Sequence, residues 1–376
     1  MEIATLDKGG IMSRLGNCLD KSRNSLDKGQ CLAPPLVAAA ALAFVAVGLP
    51  ETAFADEGGV SFWLPGTFGS LAAAPATPGW MLGAFYYHTS VSAGADVAAA
   101  REFQIGKLNP TLKVNLSANL NANVDFAFVS PTYVFMTPVL GGQASVGLGT
   151  LVGQSNASLS GTLTASIPPF TFVRSDSISD SVFGMGDLYP QASLKWNKGV
   201  DNFMIYGMGD IPVGAYSSTR LANLGIGHGA MDGGAGYTYF NPQTGHEFSV
   251  VAGLTYNFVN NSTNYQNGVD FHVDWGASQF LSKQLLVGAV GYFYDQVSGD
   301  SGSGDRVGPF ESRVIGLGPQ IGYIFPLGNM QGYLNLKGYG EFDAHDRPSG
   351  YNVWLTFAIS PAAPTPPPPK APMYRK

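Results

Sequence analysis

Between residues 80 and 360 apolar and polar residues alternate at a period of two, in segments of about ten residues separated by turn-forming stretches. That is the pattern of strands with one face in an apolar medium and the other in a polar one. Residues 269–281 put Val269, Phe271, Val273, Trp275, Ala277 and Leu281 on one face, with Gln279 the exception, and Asp270, His272, Asp274, Gly276 and Ser278 on the other. In 333–343, Leu334, Leu336 and Phe342 oppose Tyr333, Asn335, Lys337, Tyr339, Glu341 and Asp343. In 247–258, Phe248, Val250, Ala252, Leu254, Tyr256 and Phe258 oppose Glu247, Ser249, Gly253, Thr255 and Asn257, and in 351–360, Tyr351, Val353, Leu355, Phe357 and Ile359 oppose Asn352, Thr356 and Ser360. A helix would scatter each set around its axis.

The links between segments alternate in length. Short ones fall at 138–142, 197–201, 241–245, 282–283 and 326–330, and long polar or Gly/Ser-rich ones near 93–119, 157–182, 214–228, 259–268, 297–310 and 344–349. Short turns on one side and long loops on the other are the signature of an up-and-down barrel in an outer membrane. Five short and six long links predict twelve strands, at 80–92, 120–137, 143–156, 183–196, 202–213, 229–240, 246–258, 268–281, 284–296, 311–325, 331–343 and 350–360. Residues 101–118 also read as strand, and ten or fourteen strands would satisfy the same pattern. Aromatics near the segment ends (Tyr237, Tyr239, Phe240, Tyr256, Phe258, Tyr323, Phe325, Tyr351) fit interfacial girdles.

Composition decides what the apolar face meets. The 376-residue chain is 45% apolar but 12% charged, against about 25% charged in soluble domains. A basic stretch (Lys21, Arg23, Lys28), the apolar run Leu36 to Leu49 and Ala53-Phe54-Ala55 stand in the order of a cleavable secretory signal, which predicts a mature start at Asp56. The run is too short to cross a bilayer, and no later stretch approaches the roughly 20 apolar residues that a membrane helix needs. An exported, charge-poor chain without membrane helices points to an all-β, transmembrane antiparallel β-barrel, the other fold that satisfies every backbone group in lipid. The expected organisation is signal peptide 1–55, an apolar segment 56–79, barrel 80–360 and a Pro-rich periplasmic tail 361–376.

Both cysteines, Cys18 and Cys31, precede Asp56, so disulfides and Cys-ligated metals are excluded from the mature part. Five Lys+Arg and five Asp+Glu lie before Asp56, leaving 15 and 21, and this acidic remainder argues against nucleic-acid binding. Asp270, His272 and Asp274 share the lumen face, as a polar station for solute or as ordinary lumen polarity. A hydrolase would need a serine beside the histidine. Ser278 lies six residues from His272, about 20 Å along a strand. Asp300-Ser-Gly-Ser-Gly-Asp305 lacks the remaining ligands of a calcium loop, and the glycine clusters at 225–229 and 233–236 open no helix to receive a phosphate. No cofactor or metal is expected. The polar face should tolerate charge, so Ser278→Arg is expected to be accommodated. Phe62, Trp63, Leu64 and Phe68 precede the first strand, and such side chains either plug the lumen or pack on the barrel rim. The apolar stretch 159–174 would fold inward or rest on lipid A.

Three segments, GGVSFWLPGTFGSLAAAP (58–75), GMGDLYPQASLKW (184–196) and YNVWLTFAIS (351–360), resemble the "meta-pathway of phenol degradation" (SphA-like) outer-membrane family, similar in design to the outer-membrane long-chain fatty acid transporters. The resemblance runs from Gly58 to Ser360 and departs at the end, where Ser360 leads into PAAPTPPPPKAPMYRK instead of closing on an aromatic residue. It implies passive uptake of small hydrophobic or aromatic compounds, and by analogy with the fatty acid transporters Phe62, Trp63 and Phe68 would form part of a ligand site, to which the alternation adds Asp270, His272 and Asp274 as lumen candidates. The partners it implies are those solutes, outer-membrane lipid, lipopolysaccharide and the barrel assembly machinery. A barrel lipase or esterase, and a structural barrel whose tail touches peptidoglycan, are the rival readings.

Overall fold

The computed structural model describes residues 61–93, 113–167, 170–303 and 311–362. The N-terminal stretch expected to be a signal peptide, with Ala53-Phe54-Ala55, as well as Asp305 and the tail from residue 363, lie outside the described residues.

Twelve strands occur among the described residues: β1 Gly79–Ala93, β2 Lys113–Val134, β3 Gln143–Ile167, β4 Phe170–Lys198, β5 Asp201–Asp210, β6 Ala230–Phe240, β7 His246–Asn257, β8 Asp270–Phe280, β9 Leu285–Gln296, β10 Arg313–Leu327, β11 Met330–His345 and β12 Ser349–Pro361. Each pairs antiparallel with its sequence neighbour, and β1 pairs with β12 from Leu82↔Ile359 to Ser92↔Ser349, closing the barrel. Closure leaves no edge to expose backbone groups to lipid. Among the described residues no helix is long and apolar enough to cross a membrane.

The period-two faces sort as the alternation predicts. On β8, Asp270, His272 and Asp274 are buried, while Phe271, Val273 and Trp275 are half-exposed on the outside. Leu254 on β7, Leu334, Leu336 and Phe342 on β11 and Leu355 on β12 face outward, whereas Asn335 and Asn352 face in. Rings pair near the strand ends, Trp80 with Tyr133 at 5.2 Å and Tyr256 with Phe258 at 5.4 Å. The barrel is therefore apolar outside and mixed inside, the arrangement of an outer-membrane protein. Val273→Arg puts charge on the lipid side and is expected to cost about 2–4 kcal/mol at midplane depth. Urea unfolding in lipid measures it, and a variant as stable as the parent would mean the facing is reversed.

Two expected loops are corrected. Most of 157–182 is not loop, because β3 runs to Ile167 and β4 starts at Phe170. Paired residues continue without a break, Asn121↔Ser158 and Ser158↔Ser179 among them, and Thr162 Oγ1 lies 3.0 Å from Ser175 Oγ. The stretch at 159–174 consequently belongs to a β-hairpin, not to a loop folded inward. Likewise β2 begins at Lys113, inside the expected loop 93–119. The described side chains at its near end alternate as well, Asn119 and Asn121 exposed against half-buried Leu120 and Ala122, so the outward face carries amides in place of hydrocarbon. A strand extending past the lipid keeps its hydrogen bonds while losing the need for an apolar outer side.

Candidate functional site

The lumen is occupied by the chain's own N-terminal segment. Residues 61–78 make no strand; their backbone groups are taken up one after another by side chains pointing inward from the barrel wall, which is how irregular backbone is tolerated at membrane depth. Asp274 on β8 accepts the N–H groups of Gly66 and Phe68, both at 2.9 Å. From β11, Lys337 Nζ donates to the carbonyls of Gly66 (2.5 Å) and Phe68 (3.2 Å). Oppositely charged groups thus hold the two polarities of one turn, which also closes on itself through Thr67 N–H to Leu64 O at 3.1 Å. Gly66 has φ +90°, and an added Cβ there would meet the Tyr339 ring at 3.0 Å, so only glycine suits this position.

Further along, Ser70 Oγ lies 2.7 Å from Ser278 Oγ and accepts from Gln320 Nε2 at 2.7 Å. Leu71 N–H donates to Glu247, Ala73 N–H to Thr238 and Ala76 N–H to Gln143, while Lys195 Nζ donates to the carbonyls of Ala72 and Ala74. Seven strands, β3, β4, β6, β7, β8, β10 and β11, contribute a polar partner to this one segment. Ser278 is consequently a buried contact and not a free lumen position; Ser278→Arg would drive the segment away instead of being accommodated.

The aromatic side chains of the segment enter a ring cluster on the wall. Trp63, 1% exposed, stacks on His272 at 3.6 Å between centroids and 13° between planes. Phe68 packs on Tyr206 of β5 at 5.1 Å. The cluster continues across the barrel: Phe85 lies 4.9 Å from Phe128 and 4.8 Å from Trp354, Tyr87 lies 4.7 Å from Trp354, and Tyr292 lies 4.8 Å from Tyr339. Lys337 Nζ sits 4.9 Å from the Trp354 ring centre, so the cation that holds the segment is itself on an aromatic face.

Of the residues singled out in the sequence, Phe62, Trp63, Phe68, His272 and Asp274 meet in the lumen. Asp270 lies further along β8, where it accepts from Asn257 Nδ2 at 3.0 Å. The carboxylate beside His272 is neither of its strand neighbours but Asp232 of β6, whose Oδ2 lies 2.8 Å from His272 Nε2 and also accepts from Thr255. The histidine reaches over β7 because the intervening residue is Gly253, where a Cβ would come within 2.6 Å of the imidazole. No serine hydroxyl bonds His272 among the described residues, and Trp63 covers its ring. Asp300 ties its own loop, accepting from Tyr265, Gly268 N–H and Gln296, which gives the described one of the two acidic residues at 300–305 a structural role.

The inward aromatics Phe85, Tyr87, Phe126, Phe128, Tyr206, Tyr292, Tyr339 and Trp354 are missing from the sequence-based site. Their signal was consecutive rings, as in Phe85-Tyr86-Tyr87 and Tyr292-Phe293-Tyr294, which place alternate members inside.

Residues 100–357 match the family described as "Putative MetA-pathway of phenol degradation". The chain belongs to this family. The match to the phenol-degradation family spans β2 through most of β12 and leaves the N-terminal segment and β1 outside. No curated protein sequence matches the chain. Among solved structures, an outer membrane channel from Pseudomonas putida F1 is 13% identical, covers 76% of this chain and 97% of its own, and superposes with a TM-score of 0.55. That likeness establishes the same barrel fold. The translocator domain of the autotransporter NalP from Neisseria meningitidis (12% identical, 77% and 91% covered, TM-score 0.33) and a Pseudomonas aeruginosa FadL homologue (8%, 75% and 89%, 0.34) superpose too loosely to add to it.

Proposed function

We propose that this member of the phenol-degradation family is an outer-membrane channel for passive uptake of small hydrophobic or aromatic compounds. One observation carries the reading: the interior holds a continuous apolar cluster rich in aromatic rings, contributed jointly by the wall and by the N-terminal segment, where a porin for polar solutes would hold water. Apolar solutes partition into such a region, because each buried ring or large aliphatic group contributes about 1.5–3 kcal/mol. The ligand contacts are Phe62, Trp63 and Phe68, with His272 and Asp274 holding the segment that presents them. Asp270 belongs to the polar lining above. Outside, the apolar band meets outer-membrane lipid and, at the outer rim, lipopolysaccharide.

A transporter fits these groups better than a hydrolase. His272 has a carboxylate partner but, among the described residues, no hydroxyl to activate, and its ring is stacked under Trp63. The test is fluorescence quenching by an aromatic solute such as nitrobenzene, compared between the parent protein and Trp63→Phe. The chain has five tryptophans, of which Trp354 also faces inward, so the difference between the two proteins isolates the signal of Trp63. Saturable quenching is expected in the parent protein, and Trp63→Phe should lose the Trp63 component of it, leaving weaker total saturable quenching. Quenching that is linear in solute and identical in both would sink the reading.

A further inference from the structure

Residues 211–229, which link β5 to β6, turn back against β4, where Ala215 N–H donates to Met185 O at 2.8 Å. Asp187 of β4 anchors them: fully buried, it accepts the N–H groups of Gly214 at 2.7 Å and Ile226 at 2.8 Å. Ala222, Leu224 and Ile226 are buried in consequence. From the opposite direction the N-terminal segment brings up Phe62, which packs with Ile226 and Ala230 and lies 6.0 Å from the Tyr189 ring. The folded-back link and the segment therefore meet in a small apolar cluster of Phe62, Tyr189, Met208, Ile226 and Ala230.

Asp210, the last residue of β5, stands in the wall of that cluster. It pairs with Ala230 on one side, and on the other the Leu188–Ile211 bridge sets Tyr189 beside it. It is 8% exposed, and neither carboxyl oxygen receives a hydrogen bond from any described group. Asp187, by contrast, has both oxygens in use. A carboxyl group buried among rings without a partner is costly and does nothing for the fold.

We propose that Asp210, with the rings of Phe62 and Tyr189, forms a binding station for aromatic solutes that carry a hydrogen-bond donor, where the outer link meets the N-terminal segment. This deepens the channel reading above and rests on it. A carboxyl oxygen accepts a hydrogen bond in either protonation state, and the apolar neighbours offer a ring its contacts. A hydroxyl or amine on the ring satisfies the acid, whereas the plain hydrocarbon leaves it unpaired, and a site built this way discriminates against the analogue lacking the donor.

The probes are p-cresol and toluene, which share a ring and a methyl group and differ by one hydroxyl. Equilibrium dialysis of the full mature chain in detergent, against a protein-free detergent blank, gives the affinity of each. The parent protein is expected to bind p-cresol at least about tenfold more tightly, the worth of a hydrogen bond to a charged or buried acceptor. Asp210→Leu is expected to bring the ratio to about one, with folding verified by the heat-dependent gel shift of a barrel. If that variant does not fold, Asp210→Met, unbranched and adaptable, takes its place. A parent ratio near one, or a ratio that the substitution leaves unchanged, overturns the station while the channel stands. A parent protein that binds neither solute overturns both.

Discussion

Deleting residues 61–74 is expected to turn a blocked barrel into an open pore, with a severalfold rise in single-channel conductance for small ions. The segment runs inside the barrel from the Phe62 cluster to the end where Gly79 begins β1, and exchanges hydrogen bonds with seven strands on the way. Without it, Asp274, Glu247, Lys195 and Lys337 face a water-filled interior in which none needs a protein partner. Eight strands close a barrel around side chains alone, whereas sixteen or more leave an aqueous channel. Twelve lie between, so the plug decides which state obtains. Binding of apolar solutes should fall in the same variant, because Trp63 and Phe68 leave with the segment. Gly276→Leu tests the same point with the full chain: a Cβ at Gly276 would meet Ser70 N at 2.7 Å and Gly69 C at 3.1 Å, so the added side chain and the segment cannot share that space. Planar-bilayer recording should give both variants the same direction of change. Unchanged conductance in both would mean the segment is only a tether.

The barrel was legible because its cause is local. Alternation on β8, β7, β11 and β12 is written residue by residue, and lipid outside enforces it. The extra length of β2, β3 and β4 was not, because past the membrane the outward face no longer has to be apolar and Asn, Ser and Thr read as loop. The segment's apolar character was evident from Phe62, Trp63 and Phe68, but its seat was not. The hydrogen bond from Gly66 to Asp274 spans 208 residues, and no periodicity reports a contact of that kind. The His272 partner was hidden for a similar reason. Its carboxylate lies two strands away at Asp232 and depends on Gly253 being empty, whereas sequence reasoning looked along the strand to Asp270 and Asp274. Trp354 was passed over because it occupies the inward side of a strand whose inward residues were read as Asn352, Thr356 and Ser360.

The charged clamp gives the second large effect. Asp274→Ala removes the charged acceptor of the Gly66 and Phe68 N–H groups and takes a negative charge from the surroundings of Lys337, and leaving buried donors unsatisfied costs about 1–3 kcal/mol each. The wall keeps its strand pairing, so the cost should fall on how well the segment is held, not on the barrel. An accessibility reporter can be placed cleanly in a chain expressed from Asp56, which holds neither Cys18 nor Cys31: Ala73→Cys would be its sole thiol, replacing a side chain that is 0% exposed, and opens to a membrane-impermeant maleimide when the segment leaves its seat. In the Asp274→Ala background, labelling should accelerate by about a hundredfold or more for a loss of that size. Asp274→Asn, which keeps an acceptor oxygen, should label at an intermediate rate. The double change Asp274→Leu with Lys337→Met separates charge from hydrogen bonding. If the uncompensated lysine carries most of the cost, the double variant labels more slowly than Asp274→Ala; if the lost N–H acceptor carries it, the double variant labels at least as fast. Labelling equal to that of the parent reporter in Asp274→Ala would show that the rings alone hold the segment, and that the hydrogen bonds from Gly66 and Phe68 only orient it.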